Sequence, residues 1–553
     1  MVTYLLDRFY AMPPAHETSP EWSLGSQSTL SDGPFERRHS TQSATLYEKS
    51  STASSPIVQH VQTEPFMPTS YRTSWEDGQA EVREKRESVM DSIGHRKYKN
   101  PWRQVNILAI DGGGLKGLWA LFVLKELMNK VQALENARET SSSVASPLDE
   151  EDTQDTTNIE IRKTLTGKFL LCHYFDYISG ASEGGLLSIM FGRLRLTIDQ
   201  ALNNYGKLWT LLSDLRPTIS RTLPVKRKRS QATKIMMAKI EELLRERPRD
   251  ADFASDSQMC KTIVMCVATN QKGVHPYLFR SYEFKRMRKS SNITRNPESK
   301  TKFLTKDVCQ ASFGAPFYFE SVKLGGQKYS DGSIWTTNPS LEVYREVSTL
   351  HDASKRPIRL FLNVGGGISS VKPSRLQSLP FMRAAMYLRS AVSQSEERLI
   401  SQTLSEKAKQ DDFEYFRIGG ATQEQVEEFN TRSKKVISAQ ETFALVQKWV
   451  KIRLPEFEST LDQCAQQLAD CRRERAATAQ WERFALGIHY DCNFCEKGWP
   501  PVSCNRNDFI EHLQKKHDFA PPDAAHWEEI QIALQKCVSV PAKILSPSVY
   551  VVH

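Results

Sequence analysis

The first feature of the sequence that could do chemistry is a serine between closely spaced glycines. Residues 180 to 184 are Gly-Ala-Ser-Glu-Gly, so Ser182 is the centre of a G-x-S-x-G motif. A strand-like stretch precedes it and a helical pattern follows. A sharp turn there needs Gly180 and Gly184, which let the backbone pass closely and leave the serine exposed. Any tight turn uses the same residue types, so the pentapeptide alone leaves both a nucleophile and an ordinary turn open.

A second glycine cluster lies upstream, in the run Asp111-Gly112-Gly113-Gly114-Leu115-Lys116-Gly117. It also stands between a strand and a helix, so its backbone N–H groups can converge on an anion without interference from Cβ atoms. The run fits neither the P-loop spacing nor the dinucleotide-binding fingerprint. We therefore predict an oxyanion hole made by the amides of Gly112, Gly113 and Gly114, with a phosphate cradle as the alternative.

The serine needs a base, and no histidine stands in a comparable position at a strand end. Asp331-Gly332 follows a hairpin-like stretch through Gly325 and Gly326. An aspartate with its ordinary pKa of about 3.9 is a poor base, so it must lie in a desolvated pocket to take the serine proton. We predict Asp331 as the base, although an ordinary Asp-Gly turn is what this pair alone would favour.

Together, and in this order, the three motifs resemble those of the patatin-like phospholipase family, over residues 104 to about 419. Ala311 to Pro316 and the pair Asn338-Pro339 are similar to supporting segments of the family. The resemblance implies a three-layer α/β/α fold, a Ser182–Asp331 dyad without histidine, and no cofactor for catalysis. It implies a carboxylic ester hydrolase that releases fatty acids from phospholipids, galactolipids or glycerides at a membrane surface or lipid droplet.

Several residues depart from the family's pattern. Ala181 precedes the nucleophile and Glu183 follows it, where Thr and small residues are usual. A carboxylate at 183 suits the first turn of a helix, but it would repel the oxyanion if its side chain turned inward. Ser333 replaces the usual Ala or Gly of the base motif, and Lys116 replaces the more common Arg. A catalytically weak lipid-binding scaffold is therefore the alternative function.

A separate group of metal-ligand residue types lies near the C-terminus. Cys492, Cys495, His512 and His517 give the spacing C-x2-C-x16-H-x4-H, one residue longer in the middle than the usual zinc-finger window. We predict a structural zinc ion in a finger that resembles the C2H2 class, with Cys504 able to replace a histidine. Two cysteines that lie by chance beside two histidines are the alternative. One lengthened finger buries too little to read DNA alone, so we expect a protein partner or domain closure rather than nucleic acid.

The elements that must position these motifs follow an alternating order. Strand-like runs occur at Val105 to Ile110, Phe175 to Ser179, Thr262 to Ala268 and Ile358 to Val364, with helical patterns between them. This alternation predicts an α/β layered domain with a mostly parallel sheet.

Strand signals cease after about residue 420, where helical patterns run from Gln440 to Arg475 with a break near Pro455. Apolar residues in this region keep heptad spacing, but two heptads are too few for a coiled coil, so we predict a packed helix. The heptad positions are Phe457, Leu461, Cys464, Leu468 and Cys471.

Changes in composition along the chain indicate where its regions begin and end. Residues 1 to about 100 are rich in Ser, Thr and Pro and cannot bury enough apolar surface to offset their ordering entropy. An acidic, Ser-rich interruption from Glu139 to Thr157 is expected to be a surface loop. The predicted regions are 1–100 (disordered), 104–419 (hydrolase), 420–485 (helical), 486–520 (zinc finger) and 521–553 (C-terminal tail).

Charge and cysteine content bear on location. The 553 residues carry a net charge of +9 and ten cysteines, too few for a disulfide scaffold and consistent with a reducing compartment. Asp7 and Arg8 interrupt the apolar cluster at the N-terminus, and no later run approaches the roughly 18 apolar residues of a membrane span. We expect a cytoplasmic protein that can associate peripherally with membranes and has no transmembrane segment.

The basic run from Pro224 to Arg229 resembles a nuclear localisation signal. A solvated loop is its commoner explanation, and contact with anionic lipid headgroups is another. A nuclear location therefore stays open. A nuclear regulator that binds nucleic acid through the finger and this run is the third functional hypothesis, and we rank it last.

Overall fold

The structure is a computed structural model that describes most of the chain beyond residue 99. The predicted disordered region lies outside the described residues except for Asn100, as does most of the predicted loop from Glu139 to Thr157. The described residues are 100–113, 115–142, 169–218, 225–245, 247, 250–256, 258–270, 273–283, 302–315, 319–351, 357–365, 380–420, 422, 425, 438–495, 503–520 and 526–539.

A mixed eight-stranded sheet forms the centre of the protein. Its order is β5-β6-β3-β2-β1-β7-β8, and β4 also pairs with β3. From β3 to β8 the neighbours in this order run parallel, whereas β4, β5 and β6 add antiparallel pairs. The strands are β1 Val105–Ile110, β2 Tyr177–Ala181, β3 Lys261–Asn270, β4 Gly273–Arg280, β5 Val322–Leu324, β6 Gln327–Asp331, β7 Ile358–Val364 and β8 Glu414–Ile418.

Helices cover both faces of the sheet. Alternate side chains of a strand point to opposite faces. In β1, Leu108 and Ile110 join one buried cluster, while Ile107 and Ala109 join the other. This produces the three α/β/α layers predicted from the sequence. The helices are α1 Leu115–Ser142, α2 Glu183–Ser188, α3 Ile198–Thr218, α4 Val225–Arg245, α5 Thr305–Phe313, α6 Ser340–His351, α7 Pro380–Asp411 and α8 Ala439–Ala476.

The basic run from Pro224 to Arg229 does not form the loop that we considered its commoner explanation. Helix α4 begins at Val225, so the basic residues lie in its first turns. Lysine and arginine are good helix formers, which is why a basic run can begin a helix as well as form a loop.

Helix α8 is continuous through Pro455, so the predicted break there is wrong. Proline removes one backbone donor, but Val450 and Phe457 on either side of it are buried in the core. The ring of Phe457 also lies 6.5 Å from that of Trp119 on α1. Packing therefore holds the helix on both sides of the proline. The five heptad-spaced residues are all buried, as predicted for a packed helix.

A small cluster of buried residues forms near the C-terminus. Two short antiparallel partners flank β9, contrary to the expectation that strand signals cease after residue 420. The segment predicted as a tail contains helix α10, whose Ile530 and Leu534 pack with Phe509. The elements are β9 His489–Asp491, β10 Ser503–Cys504, α9 Arg506–His517, α10 Trp527–Cys537 and β11 Val538–Ser539.

Among the described residues, every helix is too short or too polar to cross a membrane.

Candidate active site

The sheet brings the predicted serine and aspartate together through the edges of one strand. Antiparallel β4 pairs with β3 from Ile263 to Asn270. Two strands pair one after the other along the opposite edge of β3. The last residue of β2, Ala181, pairs with Met265, and the last residue of β6, Asp331, pairs with the next residue, Cys266. The ends of β2 and β6 therefore meet, and residues distant in sequence become neighbours.

The turn after β2 has the strained backbone of a nucleophile elbow. Ser182 has a φ of +53° and a ψ of −126°, a conformation rarely populated by residues other than glycine. Gly180 and Gly184 allow the close crossing, because a Cβ at Gly180 would lie 2.0 Å from the Gly184 carbonyl oxygen. A Cβ at Gly184 would lie 2.3 Å from the carbonyl oxygen of Ile110. The strand-to-helix geometry expected from G-x-S-x-G is present.

Ser182 and Asp331 form a direct hydrogen bond. The serine Oγ donates to Asp331 Oδ2 over 2.8 Å, and both residues are buried. The other carboxylate oxygen, Oδ1, accepts the Ser333 backbone N–H at 2.7 Å, which fixes the carboxylate. Burial raises the pKa of Asp331 to about 7, and the nearby charge of Glu183 adds to the rise. A carboxylate with this pKa is a far better base near neutral pH than an ordinary aspartate.

The three predicted oxyanion donors differ in their surroundings. The Gly112 amide donates to the Thr337 carbonyl oxygen at 2.8 Å, so it anchors the loop instead of facing the serine. Gly113, with a φ of +116°, directs its N–H into the site. Gly114 lies outside the described residues. Of the two amides that are described, Gly113 is thus the one that faces the nucleophile.

The side chain of Glu183 turns inward. This is the orientation in which, as expected from the sequence, its carboxylate would repel an oxyanion. Its Oε2 accepts the Gly113 N–H at 3.0 Å and lies 2.7 Å from Ser182 Oγ. Gly117 makes room for this side chain, since a Cβ there would lie 2.8 Å from Glu183 Cβ. The backbone of Lys116 belongs to the first turn of α1. The carboxylate of Glu183 therefore lies between the nucleophile and the glycine loop.

A buried polar network anchors the start of the glycine loop. Asp111 Oδ2 lies 2.7 Å from a guanidinium nitrogen of Arg417 on β8, and Oδ1 accepts from Asn363 Nδ2 at 3.0 Å. Arg417 also contacts Glu397. Arg417 was not among the residues predicted from the sequence, although a charged residue inside the strand-like stretch Glu414–Ile418 is a signal that could have drawn attention to it.

Segments that resemble the family's supporting segments contact both Ser182 and Asp331. Ser312 Oγ donates to the Ser182 carbonyl oxygen at 2.8 Å, and the Asp331 N–H donates to the Gly314 carbonyl at 3.3 Å. Asn338 Nδ2 donates to Asn363 Oδ1 at 3.1 Å, which joins this segment to the network around Asp111. Gly332 passes close to the main chain of β3, so it too is required by packing.

The four predicted zinc ligands also come together. Ligand atoms of Cys492, Cys495, His512 and His517 all lie within 4.8 Å of one another. Cys492 Sγ lies 3.3 Å from His517 Nε2, and Cys495 Sγ lies 3.3 Å from His512 Nε2. Tetrahedral zinc with ordinary bond lengths requires sulfur–nitrogen separations of roughly 3.5 Å, so this donor set fits the ion. The sulfur of Cys504 instead contacts the Tyr490 carbonyl at 3.8 Å.

A strained serine, a buried aspartate that accepts its hydrogen bond and a glycine loop thus lie together on an α/β/α sheet. A sequence profile described as "Patatin-like phospholipase" matches residues 108–344. Residues 108–344 are therefore similar to the patatin-like phospholipase family. Strands β7 and β8, which lie beyond the matched residues, complete the sheet.

Curated relatives that match this chain have low sequence identity to it. Calcium-independent phospholipase A2-gamma of Oryctolagus cuniculus is 25% identical over 301 residues, which are 52% of this chain and 31% of the relative. The human protein of that name is 24% identical over 295 residues, again 52% of this chain and 31% of the relative. Phospholipase A I of Arabidopsis thaliana is 22% identical over 311 residues, 48% of this chain and 21% of the relative. The similarity thus spans about a third of each relative or less.

Proposed function

We propose that the protein is a lipid acyl hydrolase that uses Ser182 as its nucleophile and Asp331 as its base. The observation that carries this proposal is the 2.8 Å hydrogen bond from a backbone-strained serine to a buried carboxylate. The family of residues 108–344 and the names of the relatives support lipid esters as the substrate class. The reaction itself would need no cofactor, because serine, base and oxyanion donor all come from the chain.

The reaction would proceed through an acyl-enzyme. Ser182 Oγ forms a bond to the ester carbonyl carbon while its proton passes to Asp331 Oδ2, and the carbonyl electron pair becomes the oxyanion. The Gly113 N–H donates to this oxyanion. The bond to the alcohol then breaks, and Asp331 returns the proton to the leaving oxygen. Water enters by the same route with Asp331 as base, which releases the fatty acid and restores the serine.

Apolar side chains pack one helical turn beyond the elbow. Helix α2 and the residues after it contribute Leu186, Ile189 and Met190 to a small cavity that begins one helical turn beyond Ser182. Ile240 and Leu243 of α4 close its other side. This cavity is too small to hold an acyl chain, so it shows only that apolar side chains pack close to the elbow.

Release of fatty acid from mixed phospholipid vesicles tests the proposal. We expect release by the wild type and none above background by Ser182→Ala. Ser188→Ala is the matched control, because Ser188 is also buried on α2 but its hydroxyl donates to the Gly185 carbonyl at 2.8 Å. Equal release by wild type and Ser182→Ala would refute the assignment of the nucleophile.

A lipid-binding scaffold with little turnover is the second candidate, and the inward Glu183 carboxylate favours it. Such a protein would bind vesicles in a flotation assay as strongly in the Ser182→Ala variant as in the wild type, with no fatty acid released by either. Release by the wild type would exclude this candidate.

For the C-terminal residues we propose a structural zinc site held by Cys492, Cys495, His512 and His517. The ion would supply a rigid tetrahedral cross-link between β9, the residues after it and α9. Phe494, which is 41% exposed beside this site, offers an apolar contact for a protein partner. Metal analysis of the purified protein should find one zinc per chain, and none in Cys495→Ser. A metal-free wild type that is folded would refute the site.

A further inference from the structure

Glu183 occupies the place that an ester carbonyl oxygen needs, and this inference rests on the function proposed above. Its Oε2 lies 2.7 Å from Ser182 Oγ and 3.0 Å from the Gly113 nitrogen. A carbonyl oxygen under attack must lie close to the nucleophile and accept from the same amide. The carboxylate and the substrate oxygen therefore cannot occupy the site together.

The serine proton adds to this competition. The Ser182 hydroxyl has one proton and lies near two carboxylate acceptors, Asp331 Oδ2 at 2.8 Å and Glu183 Oε2 at 2.7 Å. Only the bond to Asp331 leads to proton transfer during attack. With Glu183 inward, the hydroxyl donates its hydrogen bond either to Asp331, which is productive, or to Glu183, which is not.

A second position for the carboxylate is provided by Tyr205. This side chain is 2% exposed, and its hydroxyl has no hydrogen-bond partner among the described residues. Its ring is held by stacking on Trp209 at 6.1 Å and by Phe443 at 6.3 Å. A buried hydroxyl without a hydrogen-bond partner is costly, so this hydroxyl would gain free energy by donating to a carboxylate.

Tyr205 and Glu183 border the same space above Gly117. A Cβ on Gly117 would lie 2.8 Å from Glu183 Cβ and 3.2 Å from the Tyr205 hydroxyl oxygen. The pKa of Tyr205 is raised well above its ordinary value, mainly by burial and then by the charge of Glu183, in keeping with their proximity. Rotation about the glutamate side-chain bonds would move the carboxylate from the Gly113 amide towards this hydroxyl.

We propose that the Glu183 carboxylate fills the oxyanion site of the resting enzyme and that the Tyr205 hydroxyl receives it when a substrate ester displaces it. Glu183 and Tyr205 are then positioning residues that control entry of the carbonyl oxygen. Glu183, which stands where the family usually has a small residue, would thus compete with the substrate for the oxyanion site.

The rate of fluorophosphonate labelling of Ser182 tests this arrangement, because the phosphoryl oxygen of the probe enters the same site. We expect Glu183→Ala to label roughly tenfold faster than wild type, the factor contributed by one charge-assisted hydrogen bond. The labelling rate of Glu183→Gln should lie between those of wild type and Glu183→Ala, because an amide oxygen is a weaker hydrogen-bond acceptor than a carboxylate. Tyr205→Phe should label more slowly than wild type without loss of thermal stability, because it removes a buried hydroxyl that has no partner among the residues the structure describes.

A double-substitution cycle separates this mechanism from a structural role for Tyr205. The Phe substitution should slow labelling of wild type by a larger factor than it slows Glu183→Ala, because the competitor is already absent there. Labelling of Glu183→Ala that is no faster than wild type, or equal effects of Tyr205→Phe in both backgrounds, would overturn the proposal. Folded variants that never label at Ser182 would instead refute the proposed hydrolase function.

Discussion

Asp331→Asn should abolish hydrolysis and stabilise the fold, because the carboxylate that we propose as the base is buried at an energetic cost. Burial and the charge of Glu183 raise the pKa of Asp331 from 3.8 to about 7 in the folded protein. The folded state therefore holds this proton more tightly than the unfolded chain does. Stability is at its full value below about pH 4 and is lost as the pH rises through 7.

The size of this effect follows from the two pKa values. A pKa raised from 3.8 to about 7 corresponds to about 4 kcal/mol, which is the stability that the wild type loses between about pH 4 and pH 8. Asparagine at 331 has no charge to lose, and its amide oxygen can still accept the Ser333 N–H. The stability advantage of Asp331→Asn over wild type should therefore grow by about 4 kcal/mol across this range.

Denaturant unfolding of both proteins at these two pH values measures the difference. Asp250→Asn is a control of opposite sign, because Asp250 is a buried carboxylate that lies 2.6 Å from an Arg193 guanidinium nitrogen. Loss of that charge partner should destabilise the protein by about 3 kcal/mol. A variant Asp331→Asn whose advantage does not change with pH, or which is less stable than wild type at about pH 8, would refute the reasoning.

Further outcomes are expected at and around the site. The kcat/KM of wild type should rise with pH through about 7, since Asp331 must be ionised to accept the serine proton; a flat profile from pH 5 to 9 would contradict it. Arg417→Met should lose about 3 kcal/mol of stability in denaturant unfolding and most activity, because it leaves the Asp111 carboxylate without its buried cation; an unaffected variant would exclude Arg417 as the anchor. Gly184→Ala should fail to fold or to label, because its Cβ would lie 2.3 Å from the Ile110 carbonyl oxygen; a soluble variant that labels normally would contradict the close crossing.

Ser182 and Asp331 could be singled out from the sequence because each lies in a local motif. The glycines around Ser182 and the turn at Asp331 follow from backbone geometry that short sequences impose. The sequence did not show which of the predicted oxyanion amides points into the site. Gly112 lies in the same motif as Gly113, but its N–H is taken by Thr337, a residue far along the chain. Which amide faces the nucleophile depends on that tertiary contact.

Side-chain orientation and distant partners were also beyond the local pattern. Nothing in the order of residues decides whether Glu183 points to solvent or to the Gly113 amide. Arg417 reaches Asp111 because β8 joins the sheet beside β7, a pairing between strands far apart in sequence. Helix α10 was not predicted, although its buried residues Ile530, Ala533, Leu534 and Cys537 recur at helical spacing in the sequence.

The most direct test of the central claim is the site of covalent modification by a fluorophosphonate. Purified wild-type protein is treated with the probe, digested and analysed by mass spectrometry, beside Ser182→Ala. We predict one adduct, on the peptide that contains Ser182, and no adduct in the variant. A folded wild type that remains unmodified, or an adduct on another serine that persists in Ser182→Ala, would contradict this claim.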